Sequence, residues 1–488
     1  MRPELEDFRH HLRHLARDQG ERLALRGATQ RYSYAQLLEA VEQRTAHLAA
    51  QPAGALALAL DNGPDALIWD LAALFSERPC LLLPPFFSPA QRAHCLMQSQ
   101  ASLALVEPRL EDELRGNGFS HGETFWYRPA VVDAGLPLGT AKITYTSGST
   151  GTPRGVCLDA GAMLRVAREL EAASRPTEPS HYLAILPLAV LLENLGLYAA
   201  LCAGATLTLL PGEQLGLGGS SSVDWKRLLA SIALSGAQSL ILVPQLLLGL
   251  VTAIERGVMR PGPLKFVAVG GARVAPSLLR RAAAVGLPVY EGYGLSECAS
   301  VVCLNRPGAV RPGSVGRPLP HVQVKLADDG EVLVSGSSLL GYLGEPPHLG
   351  QWWPTGDLGR FDEDGYLYLA GRKKNQFITS FGRNVNPEWI EAELTQNGVV
   401  LQAFVHGEGL HQNLALLWPV DPACTDQVLE QAVRQCNEQL PDYARVHRWA
   451  RLPEPFSSAS GLLTANGRPR RMAILEQYRE ILSAMVTE

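Results

Sequence analysis

The stretch "ITYTSGSTGTPRGVCL", Ile143 to Leu158, is the most informative segment of this 488-residue chain. Two apolar runs enclose a loop made of glycines, serines and threonines. Glycines let backbone N–H groups converge on an anion without side-chain obstruction, and the hydroxyls add further donors. The pattern therefore predicts a loop that binds a polyphosphate. It is not a Walker loop, because G-x-x-x-x-G-K-[ST] fits no register here and Pro153 occupies the critical stretch.

A flexible Ser/Gly connector is the alternative interpretation of this loop. The flanking apolar runs and the fixed cation of Arg154 at its end make that alternative less favoured. The phosphate-binding residues predicted from the segment are Thr146, Ser147, Gly148, Ser149, Thr150, Gly151 and Arg154.

The composition is that of an ordinary globular protein with two or three domains, since 46% of its residues are hydrophobic and 19% are charged. A net charge of −5 gives no reason to expect a nucleic-acid partner. The eight cysteines are scattered, with no C-x-x-C pair, which favours reduced thiols over disulfides or zinc. We therefore expect a cytoplasmic protein.

Membrane insertion and secretion are not expected. The charged segment at residues 1–20 lacks the apolar core of a signal peptide and is predicted to form a surface helix. The apolar segment Leu186 to Gly212 is interrupted by Glu193 and Asn194, so we interpret it as a buried helix and strand rather than a spanning helix.

Short apolar runs alternate with helical patterns through the first three hundred residues, which predicts parallel α/β sheets. The predicted strands are 54–60, 79–84, 102–107, 206–211, 239–244 and 264–271, and two of the helices between them are 160–173 and 277–286. After about residue 310, Gly-rich stretches of period two predict antiparallel hairpins, and a short α/β unit follows. The segment "GRKKNQ" (371–376) is the predicted boundary between a large domain, 1–373, and a small one, 374–488.

Several motifs, in order, resemble those of the AMP-forming acyl-adenylating superfamily, which includes acyl-CoA synthetases, peptide-synthetase adenylation domains and luciferases. They are "YTSGSTGTPRGV" (145–156), "VGGARV" (269–274), "YEGYGLSE" (290–297), "TGDLGRFDEDGYLYLAGRKK" (355–374) and "LTANGRPRR" (463–471). The resemblance extends from about residue 20 to the last residue. It implies a large domain of two α/β subdomains plus a small β-barrel, followed by a small mobile α+β domain. The implied substrates and cofactors are ATP, Mg²⁺ and a thiol.

The resemblance also assigns roles within the nucleotide site. Asp357 would accept both ribose hydroxyls, with Arg372 as a second ribose contact. Glu297 would be the Mg²⁺ ligand, because a hard cation prefers carboxylate oxygen. Tyr293 would stack on adenine and Ser296 would touch the α-phosphate. Without the surrounding motif, Tyr293 would be assigned as a core tyrosine and Ser296 as a helix N-cap. The remaining nucleotide contacts implied by the motifs are Gly271, Ala272, Glu291, Gly292 and Gly294.

The resemblance gives the C-terminal segment its catalytic role. Arg468 aligns with the lysine that bridges the substrate carboxylate and ATP during adenylation, and a similar Lys-to-Arg exchange occurs at Arg154. Guanidinium and ammonium are not interchangeable, so an impaired enzyme is the alternative. Lys374 occupies the hinge position about which the small domain turns. The thiol of the acceptor would approach along Gly382, Arg383 and Asn384.

An apolar carboxylic acid is the expected substrate. Amino-acid-activating relatives carry a Phe-Asp pair after the phosphate loop, whereas the segment Leu186 to Leu201 here has no aspartate and is overwhelmingly apolar. "PLAVLLE" resembles the P-L-A-H-x-x-E pattern of the long-chain fatty acyl branch, with Val190 in place of histidine. Phe381 similarly replaces a glycine of that branch. Each methylene of the acid that is buried in the pocket would contribute ~0.8 kcal/mol to the free energy of binding. A medium-chain or aromatic acid also fits.

Three functions remain open. The first is an AMP-forming ligase that joins an apolar acid to CoA. The second is a stand-alone enzyme that loads the phosphopantetheine of a carrier protein, because the chain contains no carrier site of its own. The third, suggested by Arg468, is a nucleotide-binding or acyl-adenylate-binding protein with impaired catalysis; luciferase-like oxidation is remote.

Overall fold

The computed structural model of the chain describes residues 2–129, 135–147, 153–218, 222–464 and 467–487. Its α-helices are α1 (Pro3–Asp18), α2 (Tyr34–Ala49), α3 (Pro64–Phe75), α4 (Pro89–Ser99), α5 (Glu111–Gly116), α6 (Ala160–Ser174), α7 (Leu191–Cys202), α8 (Gly212–Leu215), α9 (Trp225–Ser235), α10 (Pro244–Glu255), α11 (Pro276–Ala284), α12 (Pro387–Thr395), α13 (Asp426–Glu438), α14 (Arg471–Gln477) and α15 (Arg479–Thr487).

The strands of the first half are β1 (Leu23–Arg26), β2 (Arg31–Ser33), β3 (Leu56–Ala59), β4 (Cys80–Leu82), β5 (Leu103–Val106), β6 (Ser120–His121), β7 (Trp126–Tyr127), β8 (Lys142–Ser147), β9 (Pro153–Leu158), β10 (His181–Ala184), β11 (Thr206–Leu209), β12 (Leu217–Gly218), β13 (Ser222–Val223) and β14 (Ser239–Leu242). Those of the second half are β15 (Phe266–Val269), β16 (Val289–Tyr293), β17 (Cys303–Leu304), β18 (Arg317–Pro318), β19 (Gln323–Leu326), β20 (Glu331–Ser335), β21 (Gly341–Tyr342), β22 (Trp353–Phe361), β23 (Leu367–Arg372), β24 (Phe377–Ile378), β25 (Asn384–Val385), β26 (Val400–His406), β27 (Asn413–Pro419) and β28 (Val446–Arg451).

Two large sheets form the centre of the N-terminal region. One has the order β18-β17-β16-β15-β14-β10-β11-β1-β2, and the other has the order β21-β9-β8-β4-β3-β5-β7-β6. The central strands of both are parallel, and antiparallel strands occupy the edges. Strands such as β3 and β14 are buried on both faces, which explains their continuous apolar sequences. The predicted α/β architecture and each of the six predicted strands are confirmed.

The apolar segment Leu186 to Gly212 forms helix α7 and strand β11, as predicted. Helix α7 has 12 residues and is almost completely buried, so its apolar sequence serves the protein core. Glu193 is inside that core, where its carboxylate accepts hydrogen bonds from the Tyr182 hydroxyl and from the Leu186 N–H. Among the described residues, no helix has the length and hydropathy required to cross a bilayer.

A buried polar cluster anchors strand β8, which leads into the phosphate-loop motif. Lys142 on β8 forms an ion pair with Asp70 on α3, and both side chains are almost fully buried. The same carboxylate accepts hydrogen bonds from Asn194 (2.8 Å) and Tyr198 (2.6 Å) on α7. A buried charge requires such complete pairing, so the cluster fixes β8 relative to the helices between the two sheets.

Antiparallel strands replace the α/β pattern after residue 310, as the sequence predicts. At the position of the predicted small barrel, a four-stranded antiparallel sheet has the order β19-β20-β22-β23. Alternate side chains of β20, Val332 and Val334, are buried against Tyr293 and its neighbours at the end of the first sheet. This packing brings Asp357 at the middle of β22 and Arg372 at the end of β23 close to Tyr293, where β16 ends.

The last part of the chain is built on the three-stranded sheet β26-β27-β28. Residues alternate between its faces: Val405 and Leu417 pack with α12 and α13, whereas Phe404 and Leu416 pack with α14 and α15. This region has its own two apolar cores, an arrangement expected of a separate small domain. The boundary at residue 374 remains a prediction.

Candidate functional site

A single continuous cleft of about 3640 Å³ runs between the two large sheets, the four-stranded sheet and the C-terminal region. Most of the predicted site residues that the structure describes line it: Thr146, Arg154, Gly271, Ala272, Glu291, Gly292, Tyr293, Gly294, Ser296, Glu297, Asp357, Arg372, Lys374 and Arg468. Thr146 and Arg468, the first and last of these residues, are 322 positions apart in sequence (468 − 146). The fold therefore brings the separate motifs together in one cleft.

The phosphate-loop motif forms a β-hairpin of strands β8 and β9. Thr146 pairs with Arg154, and Ser147 pairs with Pro153, so the predicted loop connects the ends of two hydrogen-bonded strands. Gly148, Ser149, Thr150 and Gly151 lie outside the described residues. Thr146 and Arg154, on the flanking strands, line the cleft.

Arg154 is held at the edge of the cleft by two contacts. Its guanidinium forms a 2.6 Å ion pair with Glu345, and its central carbon lies 3.6 Å from the centroid of the Tyr342 ring. A guanidinium stacks on an aromatic ring more readily than an ammonium does. The arginine at this position therefore has a local structural basis. Both partners are half-exposed, so the ion pair itself contributes little to stability.

Glu297 presents one carboxylate to the cleft from a short 3₁₀ turn, Ser296–Cys298. Its Oε1 accepts a 2.8 Å hydrogen bond from the Tyr342 hydroxyl, which leaves the second oxygen available to a ligand. Among the described residues, no three His, Cys, Asp or Glu side chains form a metal-binding group. A single carboxylate suits Mg²⁺, because that ion is usually bound by one or two carboxylates plus water and substrate phosphates.

Asp357 at the middle of β22, Arg372 at the end of β23 and Tyr293 at the end of β16 form a connected polar group. Asp357 pairs with Arg372 across these strands, with 2.9 Å between Nε and Oδ1. The Tyr293 hydroxyl donates a 2.6 Å hydrogen bond to Oδ2. Burial raises the pKa of Asp357, and the Arg372 cation acts in the opposite direction. Each carboxylate oxygen retains a second lone pair, so Asp357 can still accept ribose hydroxyls as predicted.

Glu291 is a buried carboxyl on the wall of the same cleft. Its Oε2 has no hydrogen-bond partner among the described residues. Burial raises the pKa of Glu291 to about 8, although the nearby Arg273 cation opposes the shift. An unpaired buried polar group is costly, so this oxygen is suited to accept a hydrogen bond from a ligand amine.

Arg468 reaches the cleft from the C-terminal region. Its guanidinium donates a 3.4 Å hydrogen bond to the carbonyl of Gly271, in the loop that follows β15. Burial and the Arg372 cation lower its pKa, whereas Glu388, Asp357 and Glu297 act to raise it. An arginine keeps its charge under all such conditions, so a permanent cation faces the predicted nucleotide site.

The apolar part of the cleft is lined by the segment that the sequence assigns to acid binding. Pro187, Val190 and Leu191 contribute to it from the start of α7. The indole of Trp225, the first residue of α9, packs against Gly249 of α10, where an added Cβ would be only 1.9 Å from the ring. Both residues line the cleft, so the indole fills space that a side chain at position 249 would otherwise occupy.

The predicted hinge residue and the predicted thiol-channel residues differ in their relation to the cleft. Lys374 is exposed in the 3₁₀ turn Lys373–Asn375 and lines the cleft. Gly382, Arg383 and Asn384 are exposed to solvent. They are not among the described residues that line the cleft. Phe381 beside them is 71% exposed and contacts the His411 ring. These roles remain predictions.

Sequence reasoning missed Tyr342 and Gln396. Tyr342 contacts both Glu297 and Arg154, and it belongs to β21, a two-residue strand with no sequence signal of its own. Gln396 ends α12 and contacts the loop after β15. An isolated glutamine carries no motif, so neither residue could be identified without the structure.

The comparison with protein families is decisive for classification. The family described as "AMP-binding enzyme" matches residues 12–343, and "AMP-binding enzyme C-terminal domain" matches residues 374–488. The chain belongs to the AMP-binding enzyme family. The superfamily inferred from the motifs is thereby confirmed.

The curated relatives of this family member include long-chain-fatty-acid–CoA ligases. FadD15 of Mycobacterium bovis is 30% identical over 246 residues, which cover 44% of this chain and 41% of the relative. Long-chain-fatty-acid–CoA ligase 5 of Mus musculus is 26% identical over 428 residues, or 72% of this chain and 62% of the relative. The matched part of the chain thus spans less than two thirds of each of these relatives.

Solved structures share the fold over nearly the whole chain. The anthranilate CoA ligase AuaEII, in complex with anthranoyl-AMP, superposes with a TM-score of 0.80 at 18% identity and covers 96% of both chains. O-succinylbenzoate coenzyme A synthetase from Bacillus subtilis, in complex with AMP, has a TM-score of 0.74 at 22% identity, covering 95% of this chain and 97% of its own. The predicted α/β class, with a large domain and a smaller C-terminal one, is confirmed.

Proposed function

We propose that this AMP-binding family member is an AMP-forming acid–thiol ligase acting on an apolar carboxylic acid and CoA. In the first step, an oxygen of the acid attacks the α-phosphorus of ATP and pyrophosphate leaves. In the second step, a thiol sulfur attacks the acyl carbon and AMP leaves. The product is a thioester, and no redox change occurs.

The observation that carries this proposal is the position of Arg468. Its guanidinium contacts Gly271 in the same cleft that contains the phosphate hairpin, Glu297 and the Asp357–Arg372 pair. Adenylation brings together an anionic acid and an anionic phosphate, and a fixed cation at their meeting point offsets that charge in the transition state. Mg²⁺ bound at Glu297 would further neutralise the phosphates.

The apolar lining around Val190 supports an apolar acid. An amino acid substrate would leave its ammonium group without compensation in such a pocket. The long-chain-fatty-acid–CoA ligases at 25–30% identity also favour a fatty acid, whereas the anthranilate ligase among the structural neighbours keeps an aromatic acid open. We therefore propose an apolar acyl or aryl acid and a cytoplasmic site of action.

The test is to incubate the protein with ATP, Mg²⁺ and a panel of aliphatic and aromatic acids, with and without CoA. We expect pyrophosphate release that requires an acid, and an acyl-CoA product detected by mass spectrometry. Thioester on an added carrier protein, with none on CoA, would instead identify a carrier-loading enzyme. Nucleotide binding without turnover for any acid would overturn the proposal and favour a non-catalytic role.

A further inference from the structure

A buried glutamine connects the C-terminal region to the loop that contacts Arg468. Gln396 is 5% exposed and uses both atoms of its side-chain amide across the interface. Its Oε1 accepts a 2.7 Å hydrogen bond from the Ala275 N–H, and its Nε2 donates a 2.9 Å hydrogen bond to the Arg273 carbonyl. The side-chain amide therefore forms one accepting and one donating hydrogen bond with residues 273–275, as the backbone of a neighbouring β-strand would.

Two neighbouring contacts reinforce this attachment. Arg281 on α11 donates a 3.2 Å hydrogen bond to the backbone carbonyl of Gln396, and Glu255 holds the same guanidinium in a 2.7 Å ion pair. The Ser277 hydroxyl donates a 3.0 Å hydrogen bond to Glu393, one turn earlier on α12. The end of α12 is thus fixed to the loop and helix that follow β15.

The segment held by Gln396 is also the one that Arg468 touches. Gly271, whose carbonyl accepts from Arg468, is two residues before Arg273. Helix α12 and Arg468 belong to the same C-terminal region, and Arg471 links them through a 2.8 Å ion pair with Glu391 of α12. Fixing α12 to residues 273–275 therefore fixes the direction from which Arg468 enters the cleft.

We infer that Gln396 is a positioning residue for adenylation, which holds the C-terminal region in the orientation that presents Arg468 to the cleft. This inference rests on the proposed ligase function. Its two hydrogen bonds join groups on different regions, so they must break if the small domain turns for the thiol step. Gln396 thus stabilises one of the two working orientations and not the other.

The inference predicts that the two half-reactions respond differently to the loss of Gln396. In Gln396→Ala, we expect the kcat of acid-dependent pyrophosphate release to fall about tenfold or more, because buried backbone groups lose their partners. The KM for ATP is expected to change little, since the predicted nucleotide contacts other than Arg468 lie on the large domain. Thioester formation from a supplied acyl-adenylate should keep its wild-type rate or exceed it.

Two further variants complete the design. Gln396→Glu keeps an acceptor for the Ala275 N–H but cannot donate to the Arg273 carbonyl, so it should not rescue adenylation. Gln439→Ala is the matched control, because Gln439 also bonds across the interface, to Arg280, but at an exposed position. We expect wild-type rates for it in both steps.

Hydrogen exchange supplies a readout independent of activity. The Ala275 amide should exchange faster in Gln396→Ala than in the wild type, with circular dichroism unchanged. Equal losses in both half-reactions, or unchanged exchange at Ala275, would overturn the role of Gln396 while leaving the ligase function intact. An inactive wild type would instead overturn the proposed function and, with it, the positioning role.

Discussion

Arg468 occupies the position where the family resemblance implies a lysine, and its surroundings suit a cation. Carboxylates of Glu388, Asp357 and Glu297 act on it from the cleft walls. Its planar group can donate to a carbonyl and to an anion at the same time, which a compact ammonium does less readily. The arginine is therefore compatible with catalysis at this position.

Replacing Arg468 with alanine tests that role. We expect Arg468→Ala to lower acid-dependent pyrophosphate release by about 10²–10³-fold, the range typical of losing one transition-state donor. Thioester formation from a supplied acyl-adenylate should continue, because it does not require this side chain. Rapid-quench measurement of each half-reaction checks both statements.

Arg468→Lys is the matched variant, since it keeps the charge and changes the geometry. It should recover most of the lost adenylation. A loss of both half-reactions in Arg468→Ala, with the fold intact, would contradict the role assigned to the guanidinium.

Glu291 gives a pH-dependent prediction for stability. Its pKa is about 8 in the folded protein, above the ordinary value of 4.5, so the folded state binds the proton more tightly than the unfolded state. The stabilising contribution of the protonated form is therefore complete below pH 4.5 and is lost as the pH rises through 8. A glutamine at position 291 has no titratable proton, so its contribution to stability does not depend on pH.

Accordingly, Glu291→Gln should gain stability relative to the wild type as the pH rises from 5.5 to 9. Urea unfolding at several pH values measures the difference in midpoint. Glu193, whose buried carboxyl also has a raised pKa of about 8, is present in both proteins and cancels in the comparison. A difference that is constant with pH would contradict the prediction.

At the residue scale, motifs predicted which side chains line the cleft but not which contacts they make. The family resemblance assigns Asp357 and Arg372 to the same ribose, and the structure pairs them directly across two strands. Tyr342 and Gln396 were not predictable, because their importance depends on partners distant in sequence.

At the scale of elements, α9 and α10 shape the apolar end of the cleft. The Trp225 indole rests on Gly249, and both line the cavity. A large aromatic ring at this place would limit the space available to the acyl chain of the proposed substrate. A side chain at position 249 would overlap the ring unless the indole moved.

We therefore expect Trp225→Ala to extend the range of accepted acids toward longer chains. Removing the indole frees room for several methylenes, each worth ~0.8 kcal/mol when buried. The kcat/KM for acids of increasing length, measured by acyl-CoA formation, should shift its maximum by two or more carbons.

Leu234→Ala is the control for that variant. Leu234 is on the same helix but 84% exposed and lies outside the main cleft lining. Its substitution should leave the chain-length profile unchanged. An unshifted profile in Trp225→Ala would show that the acyl chain ends elsewhere.

Elements were more predictable than contacts because their signals are local. Buried parallel strands such as β3 and β14 are continuous apolar runs, and the antiparallel pair β19–β20 shows period two. Very short strands such as β21 carry no local signal. They form because neighbouring strands supply hydrogen-bond partners, which depends on tertiary structure.

At the scale of the whole molecule, the predicted hinge residue, Lys374, follows directly after a residue that is held by ion pairs. Lys373 is held by Glu331 (3.0 Å), the first residue of β20, and by Asp329 in the turn that precedes this strand. Lys374, the next residue, is exposed. A rotation of the small domain about this point would leave Lys373 anchored while the backbone at 374 changes conformation.

Lys374→Pro tests this predicted hinge. Proline fixes φ near −65° and restricts the preceding residue, so it should hinder any reorientation at this position. We expect adenylation to change by less than about threefold and the thioester step to fall by tenfold or more. Lys374→Ala removes the same side chain without restricting the backbone, so it should behave like the wild type in both steps. Equal rates for the thioester step in the two variants would place the hinge elsewhere. In that case, a protein that combines Gln396→Ala with Lys374→Pro would show whether the Gln396 attachment alone controls the orientation of the small domain.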